Sequence, residues 1–432
     1  MTESDNAELA VVGAGPAGLA AATAAAESGV SVLLLDVAPV AGGQIWRARR
    51  GVAAPPVARA AARLARAGVR VLAGARVTMV LPDRTLLVDA EQGACRVRWQ
   101  RLVLATGARE RLLPFPGWTL PGVCGAGGLQ ALAKGGWPIA GKRVVVAGTG
   151  PLLLAAAATL RGEGARIAAL AEEAALARFG AALLFHPAKA LQAVRLAAVL
   201  AGVPWMPGWR VVAAEGEGRV EQVQLAKGGR TRTIACDALA AGWGLVPQVE
   251  LGQALGCAIA PRFGADAVVV DDAQRTDVDG VFAAGECTGV AGAVAARLQG
   301  EIAGRAVAAE LAGAIPETVS IVRRLAREHA FAALVARTFG TPAGWRDRLR
   351  DDTLVCRCED VPWSALREQP DLRAAKLATR CGMGHCQGRL CHDALATLMH
   401  WPRLPQRAPL HPTPLATLLA CSNDPVHQET SP

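Results

Sequence analysis

The sequence predicts an α/β protein, because one strand, glycine turn, helix and strand pattern occurs twice in the chain. In the first copy an apolar run starts at Leu9 and enters a turn containing Gly13, Gly15 and Gly18. An alanine-rich segment follows, and a second apolar run ends in the carboxylate of Asp36. Apolar strands that alternate with helices are typical of a parallel sheet covered by those helices.

The first glycine turn has the composition of a dinucleotide-binding loop. Gly13 permits a sharp turn, Gly15 leaves room for a pyrophosphate, and Gly18 lets the helix lie close to its strand. Pro16 lies inside this loop, and the helix that follows directs its N-terminus towards the anion. Asp36, at about the expected 20 residues further on, can accept hydrogen bonds from ribose hydroxyls. The loop alone does not separate FAD from NAD.

Three later segments place small or polar residues directly after an apolar run or within a glycine pair. These candidates for cofactor contact are Gly43 with Gln44, Thr106 with Gly107, and Gly285 with Glu286. In an architecture with two dinucleotide domains, the strand before Gly285 returns to the FAD domain. Glu286 then faces the ribityl chain, and the next helix directs its positive end at the flavin pyrimidine. This returning strand assigns FAD to the first loop.

The second copy of the pattern begins at Arg143 and carries Gly148 and Gly150 in its turn. Its second strand ends at Glu172, but Leu153 occupies the position of the third glycine. The helix therefore stands farther from its strand than in a complete fingerprint. Three interpretations stay open for this loop: NAD(P) binding, binding of an adenine nucleotide without hydride chemistry, and a vestigial fold.

Five of the eleven cysteines lie between residues 356 and 391, namely Cys356, Cys358, Cys381, Cys386 and Cys391. Four thiolates are enough to hold an iron–sulfur cluster or a zinc ion. Structural zinc usually has two to four residues between paired cysteines, whereas only Arg357 separates Cys356 from Cys358. The spacing favours [2Fe-2S] over zinc and over plain buried thiols.

Spacing cannot choose the four ligands, because Cys381 to Cys386 and Cys386 to Cys391 have the same separation. Three arginines lie next to the thiols in sequence, namely Arg357, Arg380 and Arg389. If their side chains point inward, they offset the negative charge of a cluster and raise its reduction potential.

Composition limits the function classes. The chain has 432 residues, of which 52% are hydrophobic and 19% charged, so it is globular and long enough for two or three domains. The net charge of +9 comes from dispersed arginines without a long basic run, so no nucleic-acid partner is expected. No secretory signal is expected, and Glu27 and Gly29 interrupt the alanine-rich run, so we expect no membrane span and a cytoplasmic location.

The chain resembles the FAD-containing A or α subunits of bacterial opine oxidases and D-hydroxyproline dehydrogenases, and the B subunit of hydrogen cyanide synthase. The resemblance covers roughly residues 8–400, and its C-terminal part is similar to the bacterioferritin-associated ferredoxin-like [2Fe-2S] domain. It rests on the two cysteine segments and on four motifs: Gly42–Gln44, Ala105–Arg109, Phe115–Val123 and Gly148–Leu154.

The resemblance implies a ligand set and a partner. It implies ligation by Cys356, Cys358, Cys386 and Cys391, which leaves Cys381 as the spare cysteine. It also implies that a flavoprotein β subunit carries the substrate site, and it leaves room for a further small iron–sulfur subunit. Glu286 departs from the aspartate of many related flavoproteins, and Leu153 weakens the case for NAD(P).

The predicted organisation is two Rossmann-like domains, the second inserted in the first, followed by a small [2Fe-2S] domain. Short apolar runs at 69–72, 76–81, 85–89 and 95–99 predict a small sheet inserted in the first domain. We expect these boundaries: FAD-binding segments 1–118 and 249–315, the second Rossmann-like domain 119–248, a linker 316–350, the [2Fe-2S] domain 351–401, and a tail 402–432.

The sequence thus predicts an FAD and [2Fe-2S] electron-transfer subunit of a heteromeric dehydrogenase or oxidase. Its substrate is an amino acid, opine or hydroxyproline-like secondary amine, oxidised at the C–N bond. The alternative is a self-sufficient NAD(P)H-dependent ferredoxin-type reductase. A third, non-catalytic hypothesis is an assembly or redox-sensing protein with a structural zinc. No catalytic residue is assigned, because no substrate-binding constellation stands out.

Overall fold

A computed structural model describes residues 4–183 and 185–420. The described chain divides into two compact units, each built from separated segments. Unit 1 contains the chain up to Ala108, Pro247–Ala332 and the segment from Pro405 onward, and unit 2 contains Arg109–Val246 and Ala333–Leu404. Residues 421–432 of the expected tail lie outside the described residues.

The strands of the described residues share the short lengths common in α/β proteins, with two longer exceptions near the N-terminus. In chain order they are β1 (Ser4–Val12), β2 (Val32–Asp36), β3 (Arg70–Ala73), β4 (Arg76–Leu81), β5 (Thr85–Ala90), β6 (Gly93–Leu104), β7 (Ala108–Glu110), β8 (Val123–Gly125), β9 (Arg143–Thr149), β10 (Arg166–Glu172), β11 (Trp205–Pro207), β12 (Arg210–Glu215), β13 (Gln222–Lys227), β14 (Arg230–Ala235), β15 (Ala238–Trp243), β16 (Leu245–Pro247), β17 (Ile259–Arg262), β18 (Ala265–Val268), β19 (Val281–Ala283), β20 (Leu354–Cys356) and β21 (Val361–Pro362).

Two of the α-helices in the described residues have twenty residues each, and the others are shorter. In chain order the helices are α1 (Pro16–Ala26), α2 (Pro55–Arg66), α3 (Ala126–Lys134), α4 (Pro151–Gly162), α5 (Ala177–Leu183), α6 (Pro187–Val199), α7 (Glu250–Leu255), α8 (Gly292–Leu311), α9 (Val319–Thr338), α10 (Trp363–Leu366), α11 (Leu372–Thr379), α12 (Cys391–Met399) and α13 (Leu415–Leu419).

Unit 1 is organised around a seven-stranded sheet of order β3-β2-β1-β6-β5-β4, with β19 also paired to β6. β1 runs parallel to β2 and to β6, and the end of β6 pairs in parallel with β19. The carboxyl ends of these strands therefore meet at one edge, where ligands bind in open α/β sheets. The first glycine loop, Thr106 and Gly285 all follow strands at that edge.

The expectation of a separate small sheet between residues 69 and 99 is wrong, because these strands belong to the main sheet of unit 1. β3 joins β2 in parallel, and β4 and β5 continue the same sheet in antiparallel pairing through β6. β6 unites two runs that the sequence presents as separate strands. Gln100 and Arg101 interrupt the apolar pattern, but Gln100 lies on the exposed side and Arg101 pairs with Glu310, so the strand continues.

Helix α1 packs directly on helix α8 through small residues. A Cβ at Gly300 would lie 2.0 Å from the carbonyl oxygen of Ala17, and one at Gly304 would lie 2.3 Å from that of Ala21. Ala17 and Ala21 are buried in a core with residues of the central strands. The glycines thus bring the two helix backbones into contact.

Unit 2 contains a five-stranded parallel sheet of order β11-β10-β9-β15-β8 and an antiparallel sheet of order β12-β13-β14. Apolar residues of α3 and α4 cover one face of the parallel sheet, among them Leu129 and Leu153. On the other face Trp243 packs edge-on against Trp345, with ring centroids 4.7 Å apart.

The cysteine segments of unit 2 have a small core of their own, in which Trp363, Leu366 and Leu395 surround three of the thiols. The interval 316–350, expected as a linker, contains helix α9 and a one-turn 3-10 helix at Arg346–Arg348. Among the helices of the described residues, none combines the length and hydropathy that a membrane crossing requires.

We expect Gly300→Ala to lower the free energy of unfolding by about 3 kcal/mol or more, because the added methyl group overlaps the Ala17 carbonyl and must separate α1 from α8. Chemical unfolding of both proteins measures the effect. Gly162→Ala is the matched control: no atom lies within 4 Å of its new Cβ, and alanine favours the helix by up to about 1 kcal/mol. Equal stability of Gly300→Ala and wild type would contradict the packing argument.

Candidate functional site

The first glycine loop lies at the carboxyl end of β1, against the end of β6. Gly13 has a φ of +108°, and a Cβ there would lie 2.2 Å from the Ala105 carbonyl oxygen. Pro16 is the first residue of α1, and Gly18 lies so close to Gly13 that a Cβ would overlap its carbonyl oxygen. Asp36 accepts hydrogen bonds from the backbone N–H groups of Ala14 and Ala38. The loop and the acid thus form one hydrogen-bonded cradle.

The glycine pair at 42–43 contacts this cradle. The N–H of Gly42 donates to the Ala14 carbonyl at 2.8 Å, and a Cβ at Gly43 would lie 3.0 Å from the Cα of Gly15. The side chain of Gln44 is exposed and accepts hydrogen bonds from Arg47. The glycine pair therefore packs its backbone directly against Gly15.

Thr106 and Gly107 follow β6 and are held by a residue that sequence reasoning missed. The Thr106 hydroxyl donates to the Gln248 carbonyl at 2.8 Å, and the Gln248 side-chain amide donates to the Thr106 carbonyl at 2.7 Å. The N–H of Gln248 also donates to the Gly107 carbonyl at 2.9 Å. Gln248 is 142 residues from Thr106 in sequence, so no local motif indicates this pairing.

The turn at Gly285 and Glu286 follows β19 and is fixed by the buried amide of Gln299. The Gln299 oxygen accepts from the Gly285 N–H at 3.1 Å, and its amide donates to the Thr288 hydroxyl at 2.8 Å. Burial raises the pKa of the Glu286 carboxyl, and a hydrogen bond from the Gly292 N–H opposes the shift. Because α8 begins at Gly292, Glu286 lies at the positive end of that helix.

The second glycine loop is hydrogen-bonded to a buried carboxylate at the end of β10. The buried Glu172 carboxylate accepts hydrogen bonds from the Thr149 hydroxyl at 2.8 Å and the Gly150 N–H at 2.9 Å. Burial raises the pKa of Glu172, and backbone hydrogen bonds from Ala174 and Gly150 act in the opposite direction. A Cβ at Gly150 would lie 3.9 Å from the Cβ of Phe339, whose ring packs edge-on against that of Phe179.

Three buried cysteines meet in unit 2: the Sγ atoms of Cys356, Cys381 and Cys391 lie within 4.8 Å of one another. Cys386 is partly buried and lies in hydrogen-bonding reach of Cys391 and of the exposed Cys358. All five thiols of the two sequence segments therefore form one group. Cys381, which the resemblance leaves out of the ligand set, is one of the three buried thiols that meet.

The group favours thiolates at two positions. Hydrogen bonds from the side chains of Cys381 and then Cys391 hold the pKa of Cys356 far below its usual value. A hydrogen bond from Cys391 lowers the pKa of Cys386 to about 5, against the effect of burial. Thiolates are the ligands that iron–sulfur clusters and zinc require, so the donor set fits such a group.

The three arginines next to the thiols in sequence differ in the exposure of their side chains. The side chain of Arg380 is 70% exposed and is paired with Glu359 at 2.9 Å, so the condition that it points inward is not met. Arg357 is also exposed. Arg389 is partly buried and donates to the Cys386 carbonyl at 3.5 Å.

This fold and first loop define the class of protein: an FAD-dependent oxidoreductase. The chain belongs to the pyridine nucleotide-disulphide oxidoreductase family, whose sequence profile matches residues 7–309.

Two relatives narrow the family and confirm the resemblance stated from the sequence. The chain is 33% identical to the HcnB subunit of hydrogen cyanide synthase from Pseudomonas protegens over 426 residues, covering 88% of this chain and 89% of that protein. It is also 33% identical to the opine oxidase A subunit from Rhizobium meliloti over 432 residues, covering 90% of this chain and 91% of the relative.

A solved structure supports the fold. L-proline dehydrogenase from P. horikoshii superposes with a TM-score of 0.72 at 21% sequence identity, covering 97% of this chain and 80% of that chain. The predicted two-domain α/β flavoprotein fold is thus confirmed.

We expect Gln299→Leu to reduce the flavin bound per chain and to cost about 1–3 kcal/mol of unfolding free energy, because the Gly285 N–H and the Thr288 hydroxyl lose their buried partner. The flavin-to-protein absorbance ratio and thermal unfolding measure both effects. Gln192→Leu, on the exposed face of α6, is the matched control. A wild-type flavin ratio in Gln299→Leu would show that the turn does not depend on Gln299.

Proposed function

We propose that this chain is the FAD- and [2Fe-2S]-carrying electron-transfer subunit of a heteromeric dehydrogenase or oxidase. Its complex oxidises the C–N bond of an amino acid, opine or hydroxyproline-like secondary amine. The observation that carries the proposal is the group of five thiols in unit 2, three of them with Sγ atoms within 4.8 Å of one another. A flavoprotein that also holds a one-electron carrier is suited to relay electrons.

In unit 1, the chain's own residues bind and orient FAD. The loop from Gly13 to Gly18 receives the pyrophosphate at the N-terminus of α1, and Asp36 faces the ribose. The N-terminus of α8, beside Glu286, stabilises negative charge on the flavin ring. When bound, FAD supplies the ability to accept two electrons together and to release them singly.

The absence of a recognised substrate constellation in the sequence agrees with the relatives, which are named as subunits of a synthase and an oxidase. We assign the amine site to a flavoprotein β subunit, with room for a further small iron–sulfur subunit. There the amine loses a hydride from the carbon next to nitrogen and a proton from nitrogen. The resulting imine is hydrolysed by water, and this chain passes the two electrons onward one at a time.

For the cluster, the resemblance favours Cys356, Cys358, Cys386 and Cys391 as ligands. Two of these, Cys356 and Cys391, are among the buried thiols, and Cys386 connects Cys391 with Cys358. A set of thiol donors of this kind suits iron.

The alternative function is an NAD(P)H-dependent ferredoxin-type reductase, which the glycine geometry at Gly148 and Gly150 favours. Against it stand Leu153, which is buried at the third position of the fingerprint, and Phe339, whose Cβ lies close to Gly150. These side chains support an adenine nucleotide without hydride chemistry, or no ligand, in the second loop.

NADH separates the two functions. We expect anaerobic addition of NADH to leave the flavin absorbance of the purified chain unchanged over minutes, because no nicotinamide reaches the flavin. Dithionite, which reduces flavin directly, is the positive control. Rapid bleaching by NADH would contradict the relay and support the reductase.

Purification from the native host is expected to recover the chain with partner subunits, and a lone chain that oxidises the amine would overturn the proposal.

Iron analysis tests the ligand set. We expect Cys391→Ser to lose iron and acid-labile sulfide, and Cys381→Ala to retain them, because the resemblance assigns only the first as a ligand. Cys236→Ser is the matched control: Cys236 is also buried in unit 2 but lies outside the group of five thiols. Zinc without iron in the wild-type protein would contradict the [2Fe-2S] assignment, and loss of iron in Cys381→Ala would replace the proposed ligand set.

A further inference from the structure

We infer that an exposed groove in unit 1 receives an acidic amphipathic helix of the flavoprotein β subunit. The groove lies between α1, α2 and α8, all of which contribute residues to its lining. The inference rests on the heteromeric complex of the proposed function. It names the surface and the chemistry by which this chain holds its partner, neither of which the sequence indicates.

The floor of the groove is one face of α1. Leu19 and Thr23 are only 2% and 4% exposed, and beside them the small side chains of Ala20 and Ala24 are partly exposed. The eleven residues of α1 span about 16 Å, which corresponds to three turns of a helix lying alongside. Small residues in the floor let the axis of a second helix come close.

The two walls are rows of side chains one helical turn apart. α2 contributes Arg59 and Arg63, and α8 contributes Arg297, Glu301 and Arg305. Residues four apart lie on the same face of a helix, so each row follows the axis of its helix. The groove therefore has small residues at its floor and long, charged side chains along both rims.

This surface suits a helix rather than an extended segment. The three helices around the groove use their backbone groups internally, so they offer no sheet edge with which a strand could pair. A helix satisfies its own backbone and needs only side-chain contacts. The partly exposed apolar groups of the lining suit its apolar stripe: Ala20, Ala24, Trp46, Pro56 and Ala60.

Both carboxylates that line the groove are already engaged by its own arginines. Arg63 donates to the two oxygens of Glu27 at 2.8 and 2.6 Å. Arg305 donates to Glu301 at 2.8 Å, one turn away on α8. These pairs leave no negative charge of the lining available to a basic partner.

Two further arginines stand on opposite walls of the groove. Arg59 on α2 and Arg297 on α8 are exposed, and among the described residues neither has a hydrogen bond or an ion pair. A helix with carboxylates on both sides of its apolar stripe would give each guanidinium a partner. A second copy of this chain is disfavoured, because an isologous contact would bring these arginines together.

One end of the groove meets the first glycine loop. Pro16, which begins α1, lines the groove, and so does Trp46, whose N–H donates to the Gly42 carbonyl at 3.2 Å. A subunit held in the groove therefore borders the loops to which we assign FAD. This position favours the β subunit, because that subunit exchanges electrons with this chain in the proposed function.

The experiment compares charge reversals in the full chain, purified with its cofactors from the native host. Arg59→Glu and Arg297→Glu alter the groove, and Arg195→Glu is the matched control, because Arg195 is an exposed arginine of α6 in unit 2. The dissociation constant for the purified β subunit is measured at low and at high salt. The flavin-to-protein ratio and thermal unfolding show whether each chain is intact.

We expect Arg59→Glu and Arg297→Glu each to weaken binding of the β subunit about tenfold, because a glutamate there repels the carboxylates of the partner helix. High salt is expected to weaken the wild-type complex more than either groove variant. Arg195→Glu is expected to bind like wild type. All three chains are expected to keep the wild-type flavin ratio and unfolding temperature.

A photoreactive residue locates the partner segment. Ser28 is exposed in the lining of the groove, just beyond the end of α1. In the complex, Ser28→p-benzoylphenylalanine is expected to cross-link on illumination to an acidic amphipathic segment of the β subunit, identified by mass spectrometry. Gln192→p-benzoylphenylalanine on α6 is the control and is expected not to reach that segment.

Wild-type affinity in both groove variants, or an equal loss in Arg195→Glu, would overturn the inference. So would a cross-link from position 28 to a second copy of this chain, or none to a β subunit that is bound. Recovery of the wild-type chain without a β subunit would instead overturn the proposed function on which the inference rests.

Discussion

The close approach of backbones in unit 1 is the constraint on which the cofactor site depends. Gly18 lets α1 lie against its own loop, and Gly300 lets α8 lie against α1 at Ala17. Because α1 begins in the first glycine loop and α8 begins beside Glu286, their contact fixes two helix termini relative to each other. Any side chain larger than hydrogen at these contacts separates elements that must act together.

Unit 2 depends on a different interaction, the compensation of one buried carboxylate by two arginines. Breaking such a pair leaves an uncompensated charge, which typically costs about 3–5 kcal/mol. Asp393 follows Cys391 by two residues, so the network lies next to the thiols rather than in the wider core. The same contacts, made by Arg111 and Arg403, therefore hold the first turn of the helix that begins at Cys391.

Periodicity predicted the elements better than their connections. Both glycine loops, the returning strand at Val281 and helix α8 are found close to their expected positions. The merging of two runs into β6 was missed, because pairing with β1 along the whole strand outweighs the polar interruption at Gln100. The twenty-residue helix α9 was expected as a linker, since its surface is largely polar and only three of its residues are buried.

By itself the sequence determined what is local. It contains glycines spaced for a phosphate loop, an acid at the end of the next strand, and cysteines with one or four residues between them. These patterns work because the chemistry they serve acts over a few residues. The tertiary structure decided the rest. Gln248 at Thr106, Phe339 near Gly150, Cys381 among the thiols and Arg109 on their loop come from distant parts of the chain. Hydrogen bonding and charge compensation select such partners by position in space, and a linear spacing carries no record of that position.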